Sequence, residues 1–148
     1  MQFNILVVED AEADVYLVRE ALSESGLDYS LSVMDDGEKA MNLVEELDRD
    51  PTLQTPDLIL LDLNLPRKSG EQVLERLRRC QRLKDLPVVI LTSSDSAKDK
   101  ATVAQLQATS YFHKPSSLDE FMRLGGLVRA LLPAPQTGVS GIGAARKG

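Results

Sequence analysis

The chain has 148 residues, 43% hydrophobic and 27% charged, with a formal net charge of −6. That length is expected to build one domain around one core, with no room for a separate DNA-binding domain, and the acidic balance argues against nucleic-acid binding, which needs a basic face. No apolar run reaches the ~20 residues of a membrane span, residues 1–20 lack the basic and long apolar regions expected of a signal peptide, and the single cysteine, Cys80, excludes an internal disulfide and fits a reducing cytoplasm.

Residues 3–8, Phe-Asn-Ile-Leu-Val-Val, form a short apolar run ending in Glu9-Asp10 and read as the first strand. From Ala13 to Ser25, Leu17, Val18, Ala21 and Leu22 make a helical stripe that Gly26 stops. Residues 29–34 alternate polar and apolar, which places the second strand toward a sheet edge. Asp35-Asp36-Gly37 reads as a turn, and a second helix follows through Ala40, Met41, Leu43, Val44 and Leu47. A polar loop, 48–56, precedes Leu58 to Leu61, four apolar residues that run straight into Asp62 and read as a strand buried on both faces.

Gly70 to Arg82 carries Val73, Leu74 and Leu77 and is expected to be the third helix. Residues 87–92 are another fully buried type of strand, ending in the hydroxyls of Thr92, Ser93 and Ser94. A fourth helix, thin in apolar residues, spans about 97–107; a fifth strand, 109–113, ends at Lys114-Pro115; a fifth helix spans 118–132. Residues 133–148 are low in bulky side chains and are expected to form a disordered tail. Strand and helix alternate five times, which implies an α/β fold: a doubly wound, five-stranded parallel sheet, (βα)5, over residues 3–132, with right-handed crossovers.

Parallel strands place their carboxyl ends along one rim, where such sheets hold their ligands. Here the rim receives Glu9 and Asp10, Asp62, Thr92 and Ser93, and Lys114. Carboxylates so crowded repel unless a cation lies between them, and Mg²⁺, a hard ion bound by carboxylates and often a phosphoryl oxygen, suits the set. Lys114 would offset further negative charge, and Thr92 offers a hydroxyl. The combination fits phosphoryl transfer onto Asp62 as carboxylate nucleophile. Taken singly, an acid pair after a strand is a turn or helix cap, a strand-end Thr a β-former, and a Lys before Pro a surface residue. Their common register at strand ends outweighs those readings.

Val-Val-Glu-Asp at 7–10, Asp-Gly-Glu-Lys-Ala at 36–40, Asp-Leu-Asn-Leu-Pro at 62–66 with Gly70, Thr92-Ser93-Ser94 and Lys114-Pro115 together resemble the response-regulator receiver domain of two-component signalling. The resemblance implies a flavodoxin-like fold and phosphorylation of Asp62 by a sensor histidine kinase. It implies Mg²⁺ held by Asp10, Asp62 and the backbone carbonyl of Asn64, with Glu9 acting directly or through water. It makes Lys114 the phosphoryl partner, its bond to Pro115 cis, Thr92 the switch hydroxyl and Tyr111 the switch aromatic. Gln107-Ala108 departs from the family's frequent Gly-Ala, so the corner after the fourth helix is expected to differ in shape. The long 48–56 loop, with 8–15 and 61–66, is similar to small single-domain regulators that partner phytochrome-type histidine kinases, which makes a bacteriophytochrome the implied kinase.

Other residues invite lesser readings. His113 is expected to point away from the rim, Cys80 to pack at the end of the third helix, and Arg76, Arg78, Arg79, Arg82 and Lys84 to form a solvated basic face. In the fifth helix, Leu124, Leu127 and Leu131 form a second apolar stripe beside the core-facing row. That stripe predicts a homodimer through this helix, the fourth helix and the fifth strand. Two rival functions fit the sequence less well. A haloacid-dehalogenase-type phosphatase needs a second acid two residues after its nucleophile, where this chain has Asn64. A degenerate receiver serving as a scaffold would not keep Glu9, Asp10, Asp62, Thr92 and Lys114 intact. The expected activity is therefore signalling, with slow self-catalysed phosphoryl transfer and dephosphorylation, rather than metabolic catalysis.

Overall fold

The computed structural model describes residues 2–133. The expected disordered tail, but for Pro133, lies outside them. Five strands, β1 (Phe3–Val8), β2 (Tyr29–Met34), β3 (Leu58–Leu61), β4 (Val88–Thr92) and β5 (Ser110–His113), pair in parallel in the order β2-β1-β3-β4-β5. The helices are α1 (Glu12–Glu24), α2 (Gly37–Arg49), α3 (Gly70–Arg79), α4 (Ala97–Gln105), α5 (Leu118–Phe121) and α6 (Arg123–Leu131). Among the described residues no helix is long and apolar enough to cross a membrane.

The period-two alternation of the strands divides the interior in two. Leu6, Val8, Ile59, Leu61, Val88 and Ile90 face one core, closed by Ala40, Val44 and Leu47 of α2, Val73, Leu74 and Leu77 of α3, and Val103 of α4. Ile5, Val7, Leu58, Leu60, Val89 and Leu91 face the other, closed by Val18, Ala21 and Leu22 of α1 and by Phe121, Leu124 and Val128. β3 and β4 are buried along their whole length, as their unbroken apolar sequences require, whereas the alternating β2 lies at an edge and is only partly covered.

Several expectations change. Gly37 is the first residue of α2, not part of a turn; Asp36 caps it by accepting a hydrogen bond from the Lys39 amide at 2.7 Å. α3 stops at Arg79, and Cys80 is buried beyond it. The single fifth helix is two segments meeting at Met122.

The second leucine stripe is not a free face. Leu124 is fully buried, and Leu127 and Leu131 pack partly buried against the same core. The reason is angular: a step of three residues turns a helix by about 300°, so Leu124 falls only about 60° from Phe121, and the core arc is broad. The basic cluster is not simply solvated either. Arg76 pairs with Glu45 at 2.7 Å and Asp48 at 2.8 Å. Arg78 and Arg82 donate to backbone carbonyls, Arg78 to Lys84, Leu86 and Gln107 and Arg82 to Leu47, Asp50 and Leu53.

Candidate functional site

The strand alternation continues past the strand ends and sorts the rim residues. Glu9 follows Ile5 and Val7, and Asp62 follows Leu58 and Leu60, so both continue the rows that face α1. Lys114 follows Phe112 on that same side, whereas Tyr111 packs against the opposite core. Thr92 follows Val88 and Ile90 and so shares Tyr111's side.

Glu9, Asp62 and Thr92 are buried, and Asp10 is exposed. Glu9, Asp10 and Asp62 each bring a carboxylate oxygen within 4.8 Å of the others. The Lys114 ammonium reaches Glu9 at 2.6 Å and Asp62 at 3.4 Å. It also meets Asp14, on the first turn of α1, at 2.7 Å. Reading the sequence missed Asp14; the parity of β1, β3 and β5 could have found it, because their terminal side chains face α1. Gly70 seats α3 directly under the site: its amide donates to the Leu63 carbonyl at 3.0 Å, and a Cβ there would overlap the Asp62 carbonyl oxygen.

Burial pushes the Glu9 carboxyl up to about 7, against the lowering effect of hydrogen bonds from Lys114 and the Ala11 amide; the neighbouring charge of Asp62 adds to the rise. Burial alone would lower the Lys114 ammonium. The hydrogen bonds to Asp14 and Glu9 and the charge of Asp62 outweigh it and hold the group above its usual range. One lysine thus serves three carboxylates, and Glu9 favours its proton chiefly because burial penalises its charge, with repulsion from Asp62 a smaller contribution. A hard divalent cation fits this oxygen donor set and relieves the same repulsion.

On the other side, Thr92 Oγ1 accepts from the Ser94 amide at 3.2 Å, and Tyr111 donates its hydroxyl to the Ser94 carbonyl at 2.7 Å. Thr92 and Tyr111 therefore meet on one residue of the β4–α4 loop. Asn64 is exposed, its amide 3.4 Å from Asp62 Oδ1. His113 points to solvent and its Nε2 lies 3.1 Å from the Ser93 carbonyl, away from the carboxylates. The Lys114–Pro115 bond, expected cis, is trans, and no cis peptide bond occurs among the described residues. Trans is the intrinsically favoured isomer before proline by about 0.5–1 kcal/mol, and with it the lysine already reaches its carboxylate partners.

The fold and its rim define the class as a doubly wound α/β domain with three acids, a lysine and a threonine gathered at the carboxyl ends of its parallel strands. Residues 5–124 match the family described as the response regulator receiver domain, and the chain belongs to it. It serves two-component phosphorelay signalling. It is 38% identical over 120 residues to the response regulator Rcp1 of Synechocystis, covering 81% of this chain and 82% of that one. Among solved structures, the phosphorylated cyanobacterial phytochrome response regulator RcpA superimposes with a TM-score of 0.79 at 32% identity, covering 89% of this chain and 94% of that one. The Mn²⁺-bound form of Rcp1 gives 0.79 at 35% identity, covering 90% and 97%.

Proposed function

We propose that Asp62 is the phosphoacceptor, and that a sensor histidine kinase of the phytochrome type is the donor. The observation that carries this reading is the convergence of Glu9, Asp10 and Asp62 on one point, with the Lys114 ammonium against Glu9 and Asp62. Asp62 Oδ attacks the phosphorus of a phosphohistidine. The P–N bond breaks, its electron pair returns to the ring nitrogen, and the proton kept on the other ring nitrogen lets the histidine depart as neutral imidazole. Lys114 supplies positive charge where the phosphoryl oxygens arrive.

Mg²⁺ is the proposed ion. Asp10, Asp62 and the Asn64 carbonyl, with Glu9 directly or through water, would hold it, and it would neutralise charge on the transferring group. Thr92 and Tyr111 form the readout. A phosphoryl group on Asp62 attracts the Thr92 hydroxyl, which releases the Ser94 amide, and Ser94 in turn is the anchor of Tyr111. The surface of α4, β5 and α6 then changes its affinity for a partner. Self-catalysed hydrolysis is slow, because Asn64 stands where a general acid would be needed. The cytoplasm is the compartment that fits a phosphohistidine donor and the buried free thiol of Cys80.

The test is phosphorylation by acetyl phosphate with Mg²⁺, followed by intact mass. One added phosphoryl group, absent in Asp62→Asn and in metal-free buffer, is the expected result. No adduct, or an adduct retained in Asp62→Asn, removes Asp62 as the acceptor.

A further inference from the structure

The Lys114 ammonium has three N–H donors, and its two short contacts go to Glu9 at 2.6 Å and Asp14 at 2.7 Å. Asp62 is left at 3.4 Å, beyond the 2.7–2.9 Å typical of a charge-assisted hydrogen bond. Asp14 has no other partner for its carboxylate among the hydrogen bonds and ion pairs of the described residues. Its backbone is fixed: its amide donates to the Ala11 carbonyl at 3.0 Å, and the buried Val18, Ala21 and Leu22 hold α1 against the sheet. Its side chain is 26% exposed and that of Lys114 12%, so the pair is shielded but not sealed.

We propose that Asp14 is a positioning residue that holds Lys114 back from Asp62 until a phosphoryl group draws the ammonium across. The inference rests on Asp62 being the phosphoacceptor. In the resting molecule, Glu9 and Asp14 tether the ammonium from two sides, one at the end of β1 and one on α1. A dianionic phosphoryl group on Asp62 offers Lys114 a stronger partner than either carboxylate. To contact it well, the ammonium gives up the Asp14 bond, the more exposed of its two short ones. Each phosphorylation therefore works against the loss of one charge-assisted contact, and the carboxylate left behind adds repulsion at the rim. Asp14 is in this way a brake on modification of Asp62, exerted through Lys114.

The experiment is the initial rate of phosphoryl uptake from acetyl phosphate at saturating Mg²⁺, read by intact mass in the full chain. Asp14→Asn, which keeps the shape and removes the charge, is expected to accelerate uptake on the order of fivefold, the scale of one partly exposed ionic contact. Asp14→Glu, which restores a carboxylate within reach of Lys114, is expected to return the rate to within about twofold of the parent. In a Lys114→Gln background, followed over longer incubation, Asp14→Asn is expected to change the rate by less than about twofold, because the tethered group is gone.

An unchanged or slower rate in Asp14→Asn overturns the proposal, as does the same acceleration with and without Lys114, which would assign the effect to bulk charge. If the parent chain takes up no phosphoryl group while remaining folded by circular dichroism, the reading of Asp62 itself fails. If the parent is modified and Asp14→Asn is not faster, the role of Asp14 alone fails.

Discussion

Gly70 lies flush against the backbone of Asp62, so close that a single methyl on residue 70 would overlap the Asp62 carbonyl oxygen and come within 2.8 Å of the Leu63 Cα. The start of α3 and the end of β3 are therefore one unit, and the glycine is required by close approach rather than by an unusual φ. Gly70→Ala is expected to destabilise the fold by about 1–3 kcal/mol, the range for forcing an extra carbon into a packed site. It should also slow phosphoryl uptake, since relief of the overlap must move Asp62 or α3. Urea unfolding alongside intact-mass kinetics measures both. A variant with parent stability and parent rate would show that the two segments are not so tightly joined.

The raised Glu9 carboxyl gives the metal-free protein a defined pH dependence. Its folded value is about 7, against an ordinary 4.5, so between those values the native state holds a proton that the unfolded chain has released. Stability then falls as pH rises through that window and levels off above it, by roughly 1–3 kcal/mol in total. Lys114, held above its usual range, contributes stability that is fully present throughout this window, so it adds no slope there. Urea midpoints in EDTA between pH 5 and 8 should fall, and Glu9→Gln should flatten the trend. If Mg²⁺ is held at Glu9 as proposed, it would compete with the Glu9 proton, and its affinity is expected to rise with pH across the same range. A flat profile in the parent protein contradicts this account.

Gln107 adopts φ +67°, a left-handed conformation at the corner between α4 and β5, where the family often has glycine. The turn is built with a residue for which this backbone is costlier than for glycine, and Arg78 helps hold it by donating Nε and Nη2 to the Gln107 carbonyl at 3.1 and 2.8 Å. Left-handed backbone costs a non-glycine residue about 1–2 kcal/mol, and glycine's extra unfolded-state entropy returns about half of that. Gln107→Gly is expected to stabilise the protein by roughly 0.5–1 kcal/mol. Thermal unfolding decides the sign. A loss of stability would mean that the Gln107 side chain makes a contribution larger than its backbone strain.

What could be read from sequence follows from periodicity. The strand ends carrying Glu9, Asp62 and Thr92 were legible because β1, β3 and β4 are short, largely apolar runs whose last residue is easily located, while Lys114 was marked by the Pro115 that follows the short, partly covered β5. Asp14 was hidden because its partner is a hundred residues away, and only the shared facing of β1, β3 and β5 toward α1 connects them. Leu124 was misplaced because a stripe drawn on an ideal helix ignores how wide an arc two neighbouring strands and α1 can cover. The arginines were misread for another reason. Charge patterning shows that a face is polar but not whether its guanidinium groups meet water or loop carbonyls, and the long polar loop before β3 leaves carbonyls that no strand or helix satisfies.

Arg82 is the sharpest case of that last point. Its Nη1 donates to the Leu47 and Asp50 carbonyls at 2.7 and 3.0 Å, and its Nη2 donates to the Leu53 carbonyl at 2.7 Å. The planar guanidinium spans the end of α2 and the loop that follows, a geometry that a lysine ammonium, as a point charge, reproduces poorly. The loop's own support is local: the Leu53 amide donates to the Asp50 carbonyl at 3.2 Å and the Thr52 amide to the Asp50 carboxylate at 3.0 Å. Removing the guanidinium leaves the loop tied to α2 through the Asp50 amide, which donates to the Glu46 carbonyl at 2.9 Å, with Leu53 no longer linked to the helix. Arg82→Met, which keeps much of the aliphatic stem, is expected to cost about 1–2 kcal/mol, since the bonds are charge-assisted but lie near solvent. Hydrogen exchange at the Thr52 and Leu53 amides should accelerate about tenfold, equivalent to ~1.4 kcal/mol of local opening, while Val89 and Leu91 in β4 stay protected. Arg82→Lys should recover less than half of the loss. Because the loop lies at the amino end of β3, opposite the Asp62 rim, phosphoryl uptake should be unaffected by either change. A parallel drop in uptake would show that the loop communicates with the site through β3, and unchanged exchange at Thr52 and Leu53 would show that Arg82 does not hold the loop.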